Sequence, residues 1–259
     1  MLKKRNIIFF GLLILGVFLI TGCFLISTST YTVTFNSQGG SVVNSQTVES
    51  SGLATEPTDT TKIGYAFGGW YKEPECTNAW DFNSDMVTAD VTLYGKWTPL
   101  YALRDTGPAG GLIFYVKEGG YSEGWMYLEA TPNDQSDSQV WSNITDVAVG
   151  TSAQGIEIGT GQANTTAIIA QSGHTESAAQ LCGNLTEGGY SDWCLPSKNE
   201  LNLMYTNLKV AGVGGFESAH YWSSSENNAY YVWIQYFASG NQSKIYKYVS
   251  QRVRAVRAF

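Results

Sequence analysis

Short stretches of alternating apolar and polar residues, separated by glycine-bearing turns, recur from Tyr31 to the end of this chain. Tyr31, Val33 and Phe35 alternate with Thr32 and Thr34, and Val91, Leu93, Gly95 and Trp97 alternate with Thr92, Tyr94 and Lys96. A period of two is the pattern of a strand with one face buried. With 28 glycines in 259 residues, and aromatic and charged residues each at 14%, the composition suits a β-rich, loop-rich chain. Helical signals are fewer. Asn133 to Thr160, polar and rich in glycine and serine, reads as a long surface loop carrying Trp141, and Asn164 to Gln171 and Thr175 to Asn184 read as short helices. The clearest begins at Ser197, where Ser197-Lys198-Asn199-Glu200 has the spacing of a capping box. Leu201, Met204, Tyr205 and Leu208 then form one apolar stripe. The fold class expected is α+β.

The first 23 residues differ from the rest. Lys3, Lys4 and Arg5 precede an apolar run from Ile7 to Ile20, followed by Thr21, Gly22 and Cys23. A basic start, a short apolar core and small residues at its end read as a secretory signal. Ile20-Thr21-Gly22-Cys23 resembles the lipobox of bacterial lipoproteins. That resemblance implies cleavage after Gly22, acylation of Cys23 and a membrane as partner. Several acyl chains, at about 0.8 kcal/mol per buried methylene, make a durable anchor. The alternative is an uncleaved membrane helix over Ile7 to Ile26, about the length of a span. Either reading places the remainder outside the cytoplasm.

The chain is acidic, with formal net charge −7. That balance argues against nucleic acid, which needs a basic field. Beyond Cys23 there are three cysteines. Cys182 and Cys194 flank a Gly188-Gly189 turn and are expected to form a disulfide in an oxidising compartment. Cys76 is left as a buried thiol or a site of intermolecular pairing. His174 and His220 stand apart, so no metal set and no cofactor is expected.

The organisation expected is a signal at 1–22, a tether at 23–30, a first domain at 31–99 and a second at 103–259. Tyr31-Thr-Val-Thr-Phe, Gly64-Tyr-x-Phe-x-Gly-Trp-Tyr, Trp80-Asp-Phe and Thr92-Leu-Tyr-x-Lys-Trp together resemble one internalin-type B-repeat, the Listeria–Bacteroides repeat. The resemblance implies a small β-grasp-like module of bacterial surface proteins, a spacer or adhesion unit. In the second domain the residues are Gly107-Pro-Ala-Gly-Gly, Ile113-Phe-Tyr, Gly189-Tyr-Ser-Asp-Trp, Leu195-Pro-Ser-Lys-x-Glu-Leu, Tyr221-Trp-Ser-Ser-Ser-Glu and Arg252-Val-Arg-Ala-Val-Arg. They resemble the Lcl C-terminal domain family, which is similar to the Fibrobacter major paralogous domain. That resemblance implies a C-type-lectin-like α+β fold, with adhesion to sulfated glycans as its functional hint and no catalytic residues.

No Ser/His/Asp or Cys/His set is suggested by spacing, so no enzyme is expected. The remote enzymatic reading is an oxidase related to sulfatase-modifying factors. Among candidate binding residues, Glu200 is explained by the capping box without a ligand. Glu226-Asn227-Asn228 would suit a hard cation, against the simpler reading of a hairpin loop. The sharpest feature is a basic strip: Lys244, Lys247, Arg252, Arg254 and Arg257, with no acid from Gly240 to Phe259. Guanidinium forks suit sulfate or carboxylate. A lone closing strand would carry the arginines on one face, with Trp222 and Tyr230 nearby as sugar contacts. The competing reading pairs the arginines internally with Asp and Glu, and keeps Trp222 and Trp233 in the core. The function expected is a lipid-anchored surface binding protein, an adhesin or glycan-recognition module directed at anionic or sulfated glycans or at a host or neighbouring-cell surface. The alternative is an envelope scaffold without a specific ligand.

Overall fold

The computed structural model describes residues 29–259 except Asp59. Cys23 and the leader lie outside the described residues.

The first unit is built from β1 (Thr30–Asn36), β2 (Gln46–Glu49), β3 (Gly52–Leu53), β4 (Tyr65–Tyr71), β5 (Met86–Val87) and β6 (Val91–Pro99). Its main sheet has the order β2-β1-β6-β4, with β1 and β6 parallel at the centre. The alternation seen in the sequence fixes the register. Val33 and Phe35 turn inward beside Val91 and Leu93, while their threonine neighbours face out. Between Phe67 and Trp70 the β4–β6 pairing slips, and Gly69 sits there at φ +96°. Only glycine takes that conformation without strain, and the bulge it permits drives Trp70 into the core. Val33, Phe35, Ala54, Trp70, Val87 and Leu93 form that core.

The second unit holds β7 (Leu112–Val116), β8 (Tyr127–Ala130), β9 (Ser136–Val140), α1 (Gly161–Ile169), α2 (Ala178–Gly183), α3 (Lys198–Met204), β10 (His220–Glu226), β11 (Tyr231–Tyr236), β12 (Gln242–Tyr246), β13 (Ser250–Val253) and β14 (Val256–Ala258). One sheet has the order β12-β11-β10-β13-β9, and the other β14-β8-β7. The capping box forms as its spacing requires: Glu200 N–H donates to Ser197 Oγ at 3.3 Å, and Ser197 N–H donates to Glu200 Oε2 at 2.7 Å. Leu201, Met204 and Leu208 are buried, and α3 continues into a π-helical turn, Tyr205–Lys209. The chain as described is therefore mostly sheet with a few short helices, an α+β mixture.

Three expectations need correction. The stretch from Asn133 to Thr160, read as a loop, contains β9, which pairs antiparallel with β13. The closing arginine segment is two strands, because β13 ends at Val253 and β14 begins at Val256. Arg254-Ala255 is the crossing from the larger sheet to the smaller one, where β14 pairs with β8. Cys182 and Cys194 are not joined; both are free, buried thiols. Cys182 packs from α2 into the core containing Trp141 and Trp222, whereas Cys194 belongs to the core containing Phe114 and Leu201. Burial pushes both thiols well above their ordinary range. Cys76 is free and half-buried.

The two units meet through Tyr127, whose hydroxyl donates to Gly64 O at 2.7 Å. Tyr101, Tyr127 and Phe259 pack around that bond with centroids 5.3–5.8 Å apart, Tyr101 edge-on to the other two rings.

Candidate functional site

The basic strip does not form a surface. Arg254 is 1% exposed. Its Nε donates to Asp134 Oδ1 at 2.6 Å, and its Nη1 donates to the carbonyls of Thr131 and Gly214, both at 2.8 Å. Arg257 forms a fork with Asp192, at 2.7 and 2.9 Å, and reaches Glu129 at 3.3 Å. Lys247 and Glu226 are a fully buried pair at 2.7 Å. Arg252, partly exposed, joins Asp134 at 2.9 Å. Three of the five cations are thus removed from solvent, because a charge inside a low-dielectric interior persists only beside an opposite charge. The internal-pairing reading holds for Arg252, Arg254 and Arg257, and Lys247 is paired in the same way, so the buried Arg254, Arg257 and Lys247 are not free to contact a glycan. Trp222 is also buried, with its indole N–H on Gln139 O at 2.7 Å.

Glu226 is not placed for a cation. Its two oxygens accept the Val149 and Gly150 amides as well as the Lys247 ammonium. Asn228 closes the β10–β11 turn by accepting the Tyr230 and Tyr231 amides, each at 2.9 Å. Among the described residues, no three His, Cys, Asp or Glu side chains are grouped to hold a metal ion.

Tyr230 and Lys244 remain exposed, and Lys244 lies on a face the sequence reading did not assemble, whereas Tyr230 precedes β11 and is not part of it. In the β11–β12 hairpin, Tyr231 is opposite Tyr246, Trp233 opposite Lys244 and Gln235 opposite Gln242. Alternate residues of a strand share a face, so this row stands opposite Val232 and Ile234, which fill the core. Tyr231 and Tyr246 pack with centroids 4.4 Å apart, and Tyr246 stacks on Tyr248 at 5.1 Å. Tyr246 and Tyr248 are 40% and 60% exposed. Lys198, from the start of α3, and Lys244 place their ammonium groups 3.9 and 4.8 Å from the Trp233 ring. Gln242 Nε2 ties the hairpin to α3 through Lys198 O at 2.8 Å. The capping box therefore also positions Lys198. The signal in the sequence was the alternation Tyr231-x-Trp233-x-Gln235; the partner row on β12 and the lysine from α3 are tertiary.

Cavities among the described residues lie elsewhere. One of about 530 Å³ is lined by Gly39–Ser41, Thr61–Ile63 and Tyr65 of the first unit and by Gly119 and Tyr121 of the second. Another, of about 250 Å³, is bounded by Cys194, Glu200, Asp192, Arg257 and Gln162. Within it, burial raises the Glu200 carboxyl although the Gly159 and Ser197 amides, each at 2.7 Å, favour its charge. Glu129 is raised for the same reason, against the Gly111 amide and Arg257. A carboxyl raised on folding keeps its proton to a higher pH in the native chain than in the unfolded one. Its contribution to stability is complete below the ordinary value of about 4.5 and is lost as pH rises through the folded value. His174 and His220, lowered by burial, act in the opposite sense below their ordinary 6.5. The Glu200 term is therefore read as the stability gap between the natural chain and Glu200→Gln. By denaturant titration that gap should narrow as pH rises from about 4.5; a widening gap would show that Glu200 is charged on folding.

By its fold this is a protein of two linked β-rich units, one a compact mixed sheet and the other an α+β unit with a buried ion-pair network. Residues 31–96 match the family model of the Listeria-Bacteroides repeat domain, and residues 130–257 match that of the Lcl C-terminal domain. A protein named as a Gly-rich membrane protein in Evansella cellulosilytica is 33% identical over 136 residues, covering 46% of this chain and 15% of the relative. Internalin H of Listeria monocytogenes is 42% identical over 72 residues, covering 27% of this chain and 13% of the relative. The chain thus spans a small part of the relatives' own length. A solved fimbrial protein from Bacteroides ovatus aligns with 90% of this chain and 71% of its own, at 11% identity and a TM-score of 0.41, too low to establish a common fold.

Proposed function

We propose that this chain is a cell-surface recognition protein, lipid-anchored through Cys23, in which the repeat acts as a spacer and the second unit as an adhesin or glycan-binding module. Two family matches support a surface setting, since the relatives are an internalin and a protein named for the membrane. The parallel β1–β6 centre flanked by antiparallel strands fits a β-grasp-like repeat, and the two-sheet second unit is read as C-type-lectin-like. The observation that carries the binding role is the aromatic row of the β11–β12 hairpin, exposed at Tyr246 and Tyr248 and half-buried at Tyr231 and Trp233. Exposed tyrosine and tryptophan offer flat apolar area with a polar edge, at little cost in side-chain entropy.

A glycan array probed with the detergent-solubilised full chain tests the reading. Binding to a defined set of saccharides supports it. Failure to bind any saccharide leaves the scaffold reading in its place. Anchoring is tested separately: Cys23→Ser should move the chain from the membrane to the soluble fraction. A variant that stays in the membrane at unchanged size would establish the uncleaved helix instead.

A further inference from the structure

We infer that the first unit is a tension-bearing link. Force applied between the tether and the second unit runs along its two central strands and shears them, the direction in which a β-ladder resists most. This rests on the reading of that unit as a spacer between an anchor and a recognition module, and adds to it a mechanical role. Three observations carry it.

The first is where the chain enters and leaves. β1 and β6 are parallel neighbours, with Val33 beside Val91 and Asn36 beside Tyr94. Thr30 therefore lies three residues before the paired stretch, and Pro99 lies five residues after it. With three steps inside the stretch, the two ends stand eleven steps apart along the strands, about 35 Å at roughly 3.3 Å per residue. Pulling them apart slides β1 along β6. Sliding strains every hydrogen bond between the two strands together, whereas peeling from one end opens them one at a time.

The second is what else crosses that seam. Thr32 N–H donates to Asp90 Oδ1 at 2.7 Å just before the paired stretch. Just after it, Trp97 Nε1 donates to Ser37 O at 2.7 Å, and Gln38 Nε2 donates to Gly95 O at 3.1 Å. These bonds bracket the ladder and are strained with it. In the order β2-β1-β6-β4 the seam is interior to the sheet, and the buried Val33 and Leu93 cover one side. Water, which takes over a hydrogen bond broken at an open edge, is kept from that side.

The third is the contrast with the second unit, whose entry and exit lie together. The Tyr101 and Phe259 rings are 5.8 Å apart, and Phe259 exchanges main-chain bonds with Tyr127 where β14 and β8 run antiparallel. Force between those two points peels β14 from β8, so the through-going shear layout belongs to the first unit. The joint that passes tension on is close-packed. A Cβ on Gly64 would meet Met126 Sδ at 2.6 Å, and one on Gly120 would strike the Tyr65 hydroxyl.

The test is single-molecule force spectroscopy on the detergent-solubilised full chain, pulled in two directions at one loading rate. In the first, handles sit at the two chain ends. In the second, one handle stays at the N-terminus and the other is an azide-bearing residue at position 50. Ser50 N–H donates to Ser29 O at 2.7 Å, so this second direction peels β1 from β2. At about 3.4 Å per residue, release of residues 30–99 adds about 200 Å, the second unit about 500 Å and the peeled pair about 70 Å, so step size names each event. The 200 Å event should need roughly twice the force of the peeling event or more, because opening under force is governed by the unfolding rate and the whole row must give at once. Asp90→Ala, which removes one bracketing bond at an exposed position, should lower the end-to-end force while the thermal midpoint moves by no more than about 4–8 °C. Neither direction needs a saccharide or a membrane, so the glycan array and Cys23→Ser decide recognition and anchoring separately. Equal forces in the two directions, or an end-to-end event weaker than peeling, overturn the inference and leave those readings standing.

Discussion

Replacing Lys247 with methionine is expected to destabilise the second unit by about 3–5 kcal/mol, the cost of leaving a buried charge without its partner. Glu226 would lose the ammonium at 2.7 Å while keeping the Val149 and Gly150 amides, and Val147 O would lose its donor at 3.0 Å. The pair joins the end of β10 to the turn that follows Trp141, whose ring lies 5.0 Å from the Lys247 ammonium. At roughly 2–4 °C per kcal/mol for a domain of this size, the thermal midpoint should fall by about 6–20 °C. The double change Lys247→Met with Glu226→Gln should recover part of that loss, because the uncompensated charge is gone and the carboxamide oxygen still accepts one of the two amides, although its NH2 then faces the other. A loss below about 1 kcal/mol in the single variant would mean that water reaches the pair.

What the sequence made legible was local. The capping box at Ser197 and Glu200, the apolar stripe of α3 and the alternating strands of the first unit follow from spacing alone, and all are found where spacing places them. The polar strand β9 was not legible. Ser136-Asp137-Ser138-Gln139-Val140 has no buried face of its own, and it is held by main-chain pairing with β13, more than a hundred residues away. The fate of the arginines was hidden for the same reason. Asp134, Glu129 and Asp192 precede their partners by 120, 128 and 65 residues. A run of cations without acids in its own segment looks like a free basic strip until the topology brings distant carboxylates against it. The division between surface and interior at Trp222 and Trp233 was likewise set by packing. Trp222 faces the core between β10 and β13, whereas Trp233 faces α3 and Lys244.

These placements change what the closing segment is for. An arginine cluster retained for ligand contact would tolerate exchange with little effect on folding. An arginine cluster that closes the fold would not, and the site of binding must then be sought among residues the fold does not need. Lys244 meets that condition, since it is exposed and tied to no carboxylate among the described residues.

Arg254→Leu tests this division most severely. Arg254 stands at the crossing between the two sheets and stitches three segments: Thr131 and Pro132 after β8, Asp134, and the glycine turn at Gly214 and Gly215. Its guanidinium also lies 4.1 Å from the Phe216 ring. Leucine would keep apolar contact with Phe216 but would leave four carbonyls, those of Thr131, Pro132, Gly214 and Gly215, without this donor and Asp134 with one cation fewer. Each buried acceptor left unmet costs about 1–3 kcal/mol, so a loss of about 4 kcal/mol or more is expected, a large share of the roughly 5–15 kcal/mol by which a domain is folded. Arg254→Lys should recover only part of this, because one ammonium cannot reproduce a planar fork aimed at Asp134 and the turn carbonyls together. Arg252→Gln, at a partly exposed partner of the same Asp134, should cost about 1 kcal/mol or less. Circular dichroism melts of the three variants give the order directly. If Arg254→Leu melts like the natural chain, the buried network is not what holds the sheets together, and the arginines regain their claim to a ligand.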